Sequence, residues 1–392
     1  MISTRGLLNK DVVFSVIIFL ISGALLVMPN LYDSPFSREE DRYVGEVVEV
    51  DNSLIQQYGI VKAGSQRMKV RLLEGPYKGQ VIAADNDLIG KMESDKMFAT
   101  GDQAIVVVTI SGNEIIGATA YDHYRLKIEG VLVILFAALL IAFTGWVGAK
   151  ALLSFIFAIL VMWKILLPGI LRGYDPIWMA LMVVTAISGV TLFLVAGVNR
   201  TALAAWLGAF LGILLTASLA LLLYPSFLLH GAIQPFSETL LYSGFESLDL
   251  GRLFIAAIFL GASGAVIDVA IDVAAAMREV ARKRPDLSRK ELTRSGFTVG
   301  RAMVSTMVTT LLMAYVSGYM ALLMVLLSKG IPAAHILNLN FIAAEIMKTV
   351  IGSFGLVTVA PFTAIVGGIL FVKWRHAHGT KTEFAISQIP PV

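Results

Sequence analysis

The sequence predicts a polytopic α-helical membrane protein of about eight transmembrane helices, with a small extracytoplasmic β-barrel-like domain between spans 1 and 2. Three observations predict it. Hydrophobic residues make up 57% of the 392-residue chain and charged residues 15%, whereas soluble domains are about half apolar and about a quarter charged. Apolar runs of the length a bilayer demands, roughly 20 residues, recur along the chain. One stretch, residues 43–121, alternates apolar with polar residues instead.

The spans read as about 12–28, 128–146, 148–167, 178–197, 202–224, 253–275, 302–327 and 353–373. The first follows Arg5 and Lys10 like a signal peptide, but "VMPNLYDS" offers no small-residue cleavage site, so it reads as a retained anchor over residues 1–30. Basic residues set the orientation. They gather at the N-terminus, at Lys150 and Arg200, in the tail (Lys373, Arg375, Lys381) and in "MREVARKRPDLSRKELTRSGFTVGR" after span six. Eight spans place all five on one side, the cytoplasm. Both termini are then cytoplasmic, with a seven-helix domain over 126–380 and a tail over 381–392; residues 29–127 with the β domain over 31–125, the loop near Arg172, and residues 225–252 and 328–352 fall outside.

Within the outside domain, "RYVGEVVEV", "QRMKVRLL", "GQVIAAD", "QAIVVVTI" and "EIIGATAY" read as five short strands of an OB- or SH3-like barrel. "GPYKGQ" reads as a hairpin and "ATGDQA" as a turn into the fourth strand. An outside domain lacking a basic-aromatic face predicts no nucleic-acid partner; a cap or a protein-docking module is expected.

The stretch "GAVIDVAIDVAAAM" sets two acids in span six. Residues three and four apart share a helix face, so Gly261, Gly264, Ala265, Asp268, Asp272 and Ala275 form one stripe of small and acidic residues. Phe259, Val266, Val269 and Val273 lie opposite. Small residues let helices approach closely, so the acidic side is expected to face the bundle interior. With the midpoint near residue 264, Asp268 sits roughly 6 Å past the bilayer centre and Asp272 about 12 Å. An acid at helix centre costs about 2.5–3.5 kcal/mol, and such acids mark ion or proton paths or pair with a partner. The alternative roles are structural: Asp272 pairing near Arg278 and Arg282, Asp268 acting as a helix-to-helix donor.

Span seven carries Thr306, Thr310 and Ser317 at helical spacing, with Thr309 and Tyr315 nearby. These hydroxyls could line a hydrated path opposite Asp268, or bond within their own helix. Residues 341–373 are too long for one straight span and include Glu345, set to pair with Lys348. An interfacial helix and then a span broken near Gly352, Gly355 and Pro361 is expected, with a re-entrant segment as the alternative. Asn340 is a candidate helix cap, and Asn199 with Arg200 reads as a capped cytoplasmic turn.

The chain has no cysteine, no HExxH, GxSxG or GxxxxGK[ST] motif, and a net charge of +3. No cofactor and no enzymatic activity are expected; no metal is assigned. A shared-proton acid dyad usually draws its carboxylates from two elements, and here both sit on one.

"GASGAVIDVAIDVAAAMREV", "GRAMVSTMVTTLLMAYVSGYMALLM" and "EIMKTVIGSFGLVTVAPFTAIV", in this order, resemble the YibE/F family of multispanning bacterial membrane proteins. The β stretch "VRLLEGPYKGQVIAADNDL" with "GDQAIVVV" fits the same resemblance. It implies a permease-like protein of the bacterial inner membrane without an assigned substrate. The family's glycine–alanine–valine–x–Asp signature falls on Gly264, Ala265, Val266 and Asp268, and a small hydroxyl residue is usual where this chain has Asp272. Asp268 therefore fits the shared plan and Asp272 departs from it. The expectation is a secondary transporter or permease of a small ion or solute, with the lipid bilayer and a homo-oligomer among its partners. A non-transporting scaffold that docks partners through the outside β domain is the other reading.

Overall fold

A computed structural model describes residues 4–29, 40–111 and 114–386. Residues 30–39, at the entry to the expected β domain, and the end of the tail at 387–392 lie outside the described residues, as do the side chains of Arg5, Lys373, Arg375 and Lys381. The chain divides into a helical unit, residues 1–32 with 143–392, and a β unit, residues 33–142.

In the β unit the strands are β1 (Glu40–Asp51), β2 (Ile55–Tyr58), β3 (Val61–Leu72), β4 (Val81–Ile89), β5 (Gln103–Ser111) and β6 (Glu114–His123). Their order is β1-β5-β6-β4-β3-β2, and a further β1–β3 pairing closes five of them into a barrel. β1 does this by pairing with β5 over its first half and with β3 over its second. A bulge between Val47 and Glu49 supplies the bend. Gly45 sits at the changeover, where a side chain would run into Val70 and Val106. The five strands expected from alternation are β1, β3, β4, β5 and β6. The short β2 was missed because "IQQY" has no alternation, and its burial shows none. Both expected turns carry left-handed glycines, Gly75 and Gly79 in one and Gly101 in the other.

Alternate residues fill the barrel: Val47, Met68, Val70, Leu72, Ala84, Val106 and Val108, with Phe98 from the β4–β5 connection. Buried Gln66 and Asn86 bond to one another at 3.1 Å. Gln66 exchanges two bonds with the Phe98 backbone, at 2.9 and 3.0 Å, so the polar pair is satisfied inside the apolar core.

Eight described helices are long and apolar enough to cross a membrane. We label them α1 (Thr4–Val27), α2 (Leu126–Thr144), α3 (Trp146–Leu171), α4 (Pro176–Val195), α5 (Arg200–Leu223), α6 (Leu250–Lys283), α7 (Arg289–Ser317) and α8 (Asn340–Ile386). Helix α2 belongs almost wholly to the β unit, and none of its residues is buried. Helix starts follow local chemistry. Asp175 caps α4 ahead of Pro176. Asn199 caps α5 through Thr201 and Ala202 N–H groups, as expected of that turn. Ser288 and Glu291 form a reciprocal capping box on α7.

Three expected boundaries differ. The basic stretch after span six is mostly helical, leaving only residues 284–288 as a loop, because α6 and α7 keep good helix formers up to Lys283 and from Arg289. The seventh span ends at Ser317; Gly318 precedes a separate short helix, Met320–Ser328. The eighth is one continuous helix with Pro361 inside it, not an interfacial helix and a broken span. Its glycines serve as crossing points: side chains at Gly352 and Gly355 would strike Ala262 and Thr216.

The core of the helical unit lies where α4, α5, α6 and α8 meet. Helix α5 offers Ala205, Gly208, Ala209, Gly212 and Ala217, all buried. Gly208 abuts Thr363, and Gly212 abuts Val359. Backbones approach closely along this seam, as packing inside lipid requires.

Candidate functional site

Helix α6 carries Asp268 and Asp272, and its packing decides where they point. Val266, Val269 and Val273 are each 0% exposed, as is Phe259. A Cβ on Gly212 would lie 3.4 Å from Val266 Cγ1, and one on Gly300 would lie 3.6 Å from Val273 Cγ2. The valine face is therefore the interior face. Asp268, Asp272, Gly261, Gly264 and Ala275 are exposed on the other side. This reverses the expected orientation. β-Branched side chains fill the notch left by the α5 glycines, and burying two carboxylates there without cations would be far costlier.

Neither carboxylate has a hydrogen-bond or ion-pair partner among the described residues. Arg282 and Lys283 pair with Glu279 instead, at 2.8 and 3.6 Å, so Asp272 is not tied to the basic end of its helix. The structural roles weighed for both acids are therefore not realised within the described residues.

Helix α7 runs antiparallel beside α6. Gly296 meets Met277, Gly300 meets Val273, and Gly261 meets Tyr315. That register brings Asp268 level with Thr306, and Gly264 level with Thr310. Thr306, Thr310 and Ser317 are exposed, and each hydroxyl bonds to a carbonyl of its own helix, Met303, Thr306 and Ala314 respectively. Thr306 thus shares a depth with Asp268, Thr310 and Ser317 lie progressively further from it, and all three hydroxyls satisfy themselves locally.

Glu345 is placed elsewhere, beside the N-terminal half of α6. Lys348 Nζ donates to Glu345 Oε1 at 2.7 Å, as the spacing predicts. Both side chains are largely buried, at 12% and 15% exposure. Lys348 lies 5.6 Å from the Phe254 ring centre, a cation–π contact. Sequence reasoning found the pair but not its surroundings, because Phe254, Tyr315 and Tyr319 come from distant parts of the chain. Among the described residues, no group of three or more His, Cys, Asp or Glu side chains could hold a metal ion.

A family profile described as YibE/F-like protein matches residues 132–373. The chain belongs to the YibE/F-like family. The matched stretch contains Asp268, Asp272, the α7 hydroxyls and the Glu345–Lys348 pair, so every candidate residue of this YibE/F-like protein lies in the family's shared part. The β barrel lies outside the match, so the resemblance drawn from its sequence does not extend the family assignment to it. No curated protein and no solved structure matches the chain.

Proposed function

We propose that this YibE/F-like chain is a permease that moves a small ion or solute across the bacterial inner membrane, with Asp268 carrying the ion or proton. The observation behind this reading is a carboxylate within a helix long and apolar enough to cross a membrane, exposed on α6 and without a counter-ion among the described residues. Such an acid costs about 2.5–3.5 kcal/mol at helix centre and usually serves a path or a partner. Since Phe259 and the valines fill the interior side of α6, the path runs along the outer α6–α7 face. Asp268, Asp272 and Thr306 line it, and a second copy of the chain covers it. Small residues such as Gly264 and Ala275 suit that close approach. The cytoplasm lies on the side of the α6–α7 turn, following the distribution of basic residues.

The test is flux in proteoliposomes under imposed proton, sodium, potassium and divalent-cation gradients, comparing wild type with Asp268→Asn. Flux in wild type and its loss in a folded variant supports the reading. Absence of flux for every ion removes it.

A second reading, a membrane scaffold, draws on the filled interior and on the β barrel. Tyr58, Ile60 and Ile89 stand 64%, 81% and 68% exposed near the β2–β3 hairpin, an apolar group of the kind that docks a partner protein. The strand order also fits the OB-type Greek-key barrel, an architecture that carries many binding roles. If no ion moves, this reading takes precedence.

A further inference from the structure

Helix α7 carries a polar row that neither the core nor the Asp268 path uses. Arg294, Thr298, Arg301, Ser305 and Thr309 follow one another at three- and four-residue spacing, so they share one face. All five are exposed. The Thr298 and Ser305 hydroxyls bond back to the Arg294 and Ala302 carbonyls of their own helix, at 3.1 and 2.8 Å. The two guanidinium groups have no hydrogen-bond or ion-pair partner among the described residues. Leu292, Gly296, Gly300 and Leu311 are the buried residues of this helix, and none belongs to the row. Arginine set against hydrocarbon is costly, and ionisable groups in spans almost always face protein, water or an opposite charge.

The register with α6 supplies the opposite charge at the same depth. Gly300 meets Val273 and Gly296 meets Met277, so Arg301 stands level with Asp272 and Arg294 with Glu279. Arg282 and Lys283 already hold Glu279, at 2.8 and 3.6 Å. Asp272 is exposed, and no ion pair joins it to Arg301 among the described residues of the one chain. The exposed face therefore has an acidic half on α6 and a basic half on α7. Copies of one chain enter the membrane in the same sense, so a two-fold axis relating them runs along the bilayer normal. Such an axis preserves depth and lays the α6 half of each copy on the α7 half of the other. Arg301 and Asp272, being level, then meet twice across it.

We propose that the chain forms a two-fold dimer in which Arg301 of each copy pairs with Asp272 of the other. The proposal rests on the reading above that a second copy covers the α6–α7 face, and it gives the two acids different roles. Asp272 is taken up in an ion pair between copies, where the planar guanidinium fork can hold both carboxylate oxygens. Asp268 lies about 6 Å nearer the bilayer centre, level with the Thr306 hydroxyl and with no arginine at its depth. It keeps its carboxylate for the ion. A dissociated copy would present both charges to lipid, so the pair selects a second copy over an unrelated helix with an apolar face.

The experiment co-expresses two full-length chains with different affinity tags and measures how much of one is recovered with the other in mild detergent. Wild type should co-purify with wild type. Asp272→Arg with itself, or Arg301→Asp with itself, sets like charges together twice, and recovery should fall at least about tenfold. Asp272→Arg mixed with Arg301→Asp rebuilds both pairs between copies, and recovery should return close to wild type. Pairing inside one chain predicts the reverse: the mixture stays apart, and only a chain with both substitutions recovers. That outcome, single variants that associate like wild type, or a wild type that does not associate overturns the proposal. Should a reversed charge block insertion, Asp272→Cys on one tagged chain and Arg301→Cys on the other keep one natural pair intact. A short bis-methanethiosulfonate linker should then join them into a mixed dimer, and no mixed dimer overturns the proposal. Asp272→Cys with Leu312→Cys, about 16 Å away in depth, should stay unlinked, and equal linking of both combinations overturns it too. Flux on the same preparations separates the two readings. Flux lost in Asp268→Asn without coupling between Arg301 and Asp272 removes the pair alone. Rescued association without flux of any ion removes the Asp268 reading and leaves the dimer pair standing.

Discussion

The carboxylate of Asp11, near the start of α1, accepts the backbone N–H of Val198 at 2.8 Å. Val198 sits in the turn between α4 and α5, 187 residues later. The neighbouring Gly197 has φ +82°, and a side chain there would press against Asp11. Asp11→Ala leaves that N–H without its charged acceptor and should destabilise the fold by about 2 kcal/mol. Asp11→Asn, which keeps an acceptor, should recover most of it. Thermal unfolding in detergent measures both.

Acid should loosen the end of the bundle where α4 begins. Burial works against the charge on Asp175, but the Arg252 hydrogen bond, the Trp178 N–H and the Arg252 charge outweigh it, so its carboxyl lies below the usual range. A folded-state pKa lowered in this way contributes stability above the unfolded carboxylate pKa, and loses it as pH falls through the folded value. Unfolding temperature should therefore drop on acidification more in wild type than in Asp175→Asn. At neutral pH, Asp175→Ala should cost about 1 kcal/mol through the lost helix cap.

The α5–α8 seam should tolerate no added volume. Gly208 lies against both the backbone and the side chain of Thr363. Gly208→Val should cost at least about 1–3 kcal/mol by forcing the helices apart. A shifted or aggregated peak in size-exclusion chromatography would register the damage, while Gly264→Ala, facing open space, should elute like wild type.

Cysteine cross-linking can test cleanly whether a second copy covers the α6–α7 face, because the chain has no cysteine of its own. Ala275→Cys in native membranes should yield a disulfide-linked dimer on mild oxidation. Leu222→Cys, at a position of α5 that is 71% exposed, should not. Non-reducing gels read the result, and equal dimer from both positions would show random collision instead of a defined interface.

Sidedness is open to direct labelling. Lys290→Cys, in the exposed first turn of α7, should react with a membrane-impermeant maleimide only after the cells are opened. Lys78→Cys, in the β3–β4 turn, should react in spheroplasts of intact cells. The reverse outcome would invert the orientation assigned from the basic residues.

Much of the architecture was legible because it obeys short-range rules. Strands β3, β4 and β5 show period-two burial, the spans are long apolar runs, and Asn199 bonds only within three residues of itself. The facing of α6 was not legible. Its small stripe and its valine stripe each satisfy a packing rule, and only the Gly208–Gly212 notch on α5 favours valine. Pro361 and the nearby glycines suggested a break, yet the crossings at Gly352 and Gly355 hold α8 against its neighbours, and Pro361 is accommodated within one continuous helix. Lys348 found Glu345 by spacing, but no local pattern marks Tyr315 or Phe254 as their company.

The bond between Lys164 Nζ and the Met28 carbonyl spans 136 residues, as the Asp11 contact spans still more. Helix α1 therefore leaves the ribosome long before any of its partners exists. The whole barrel is translated before α3 and α4 arrive to receive it. Assembly must wait in this protein: a segment made early is locked in place only once these later helices are complete.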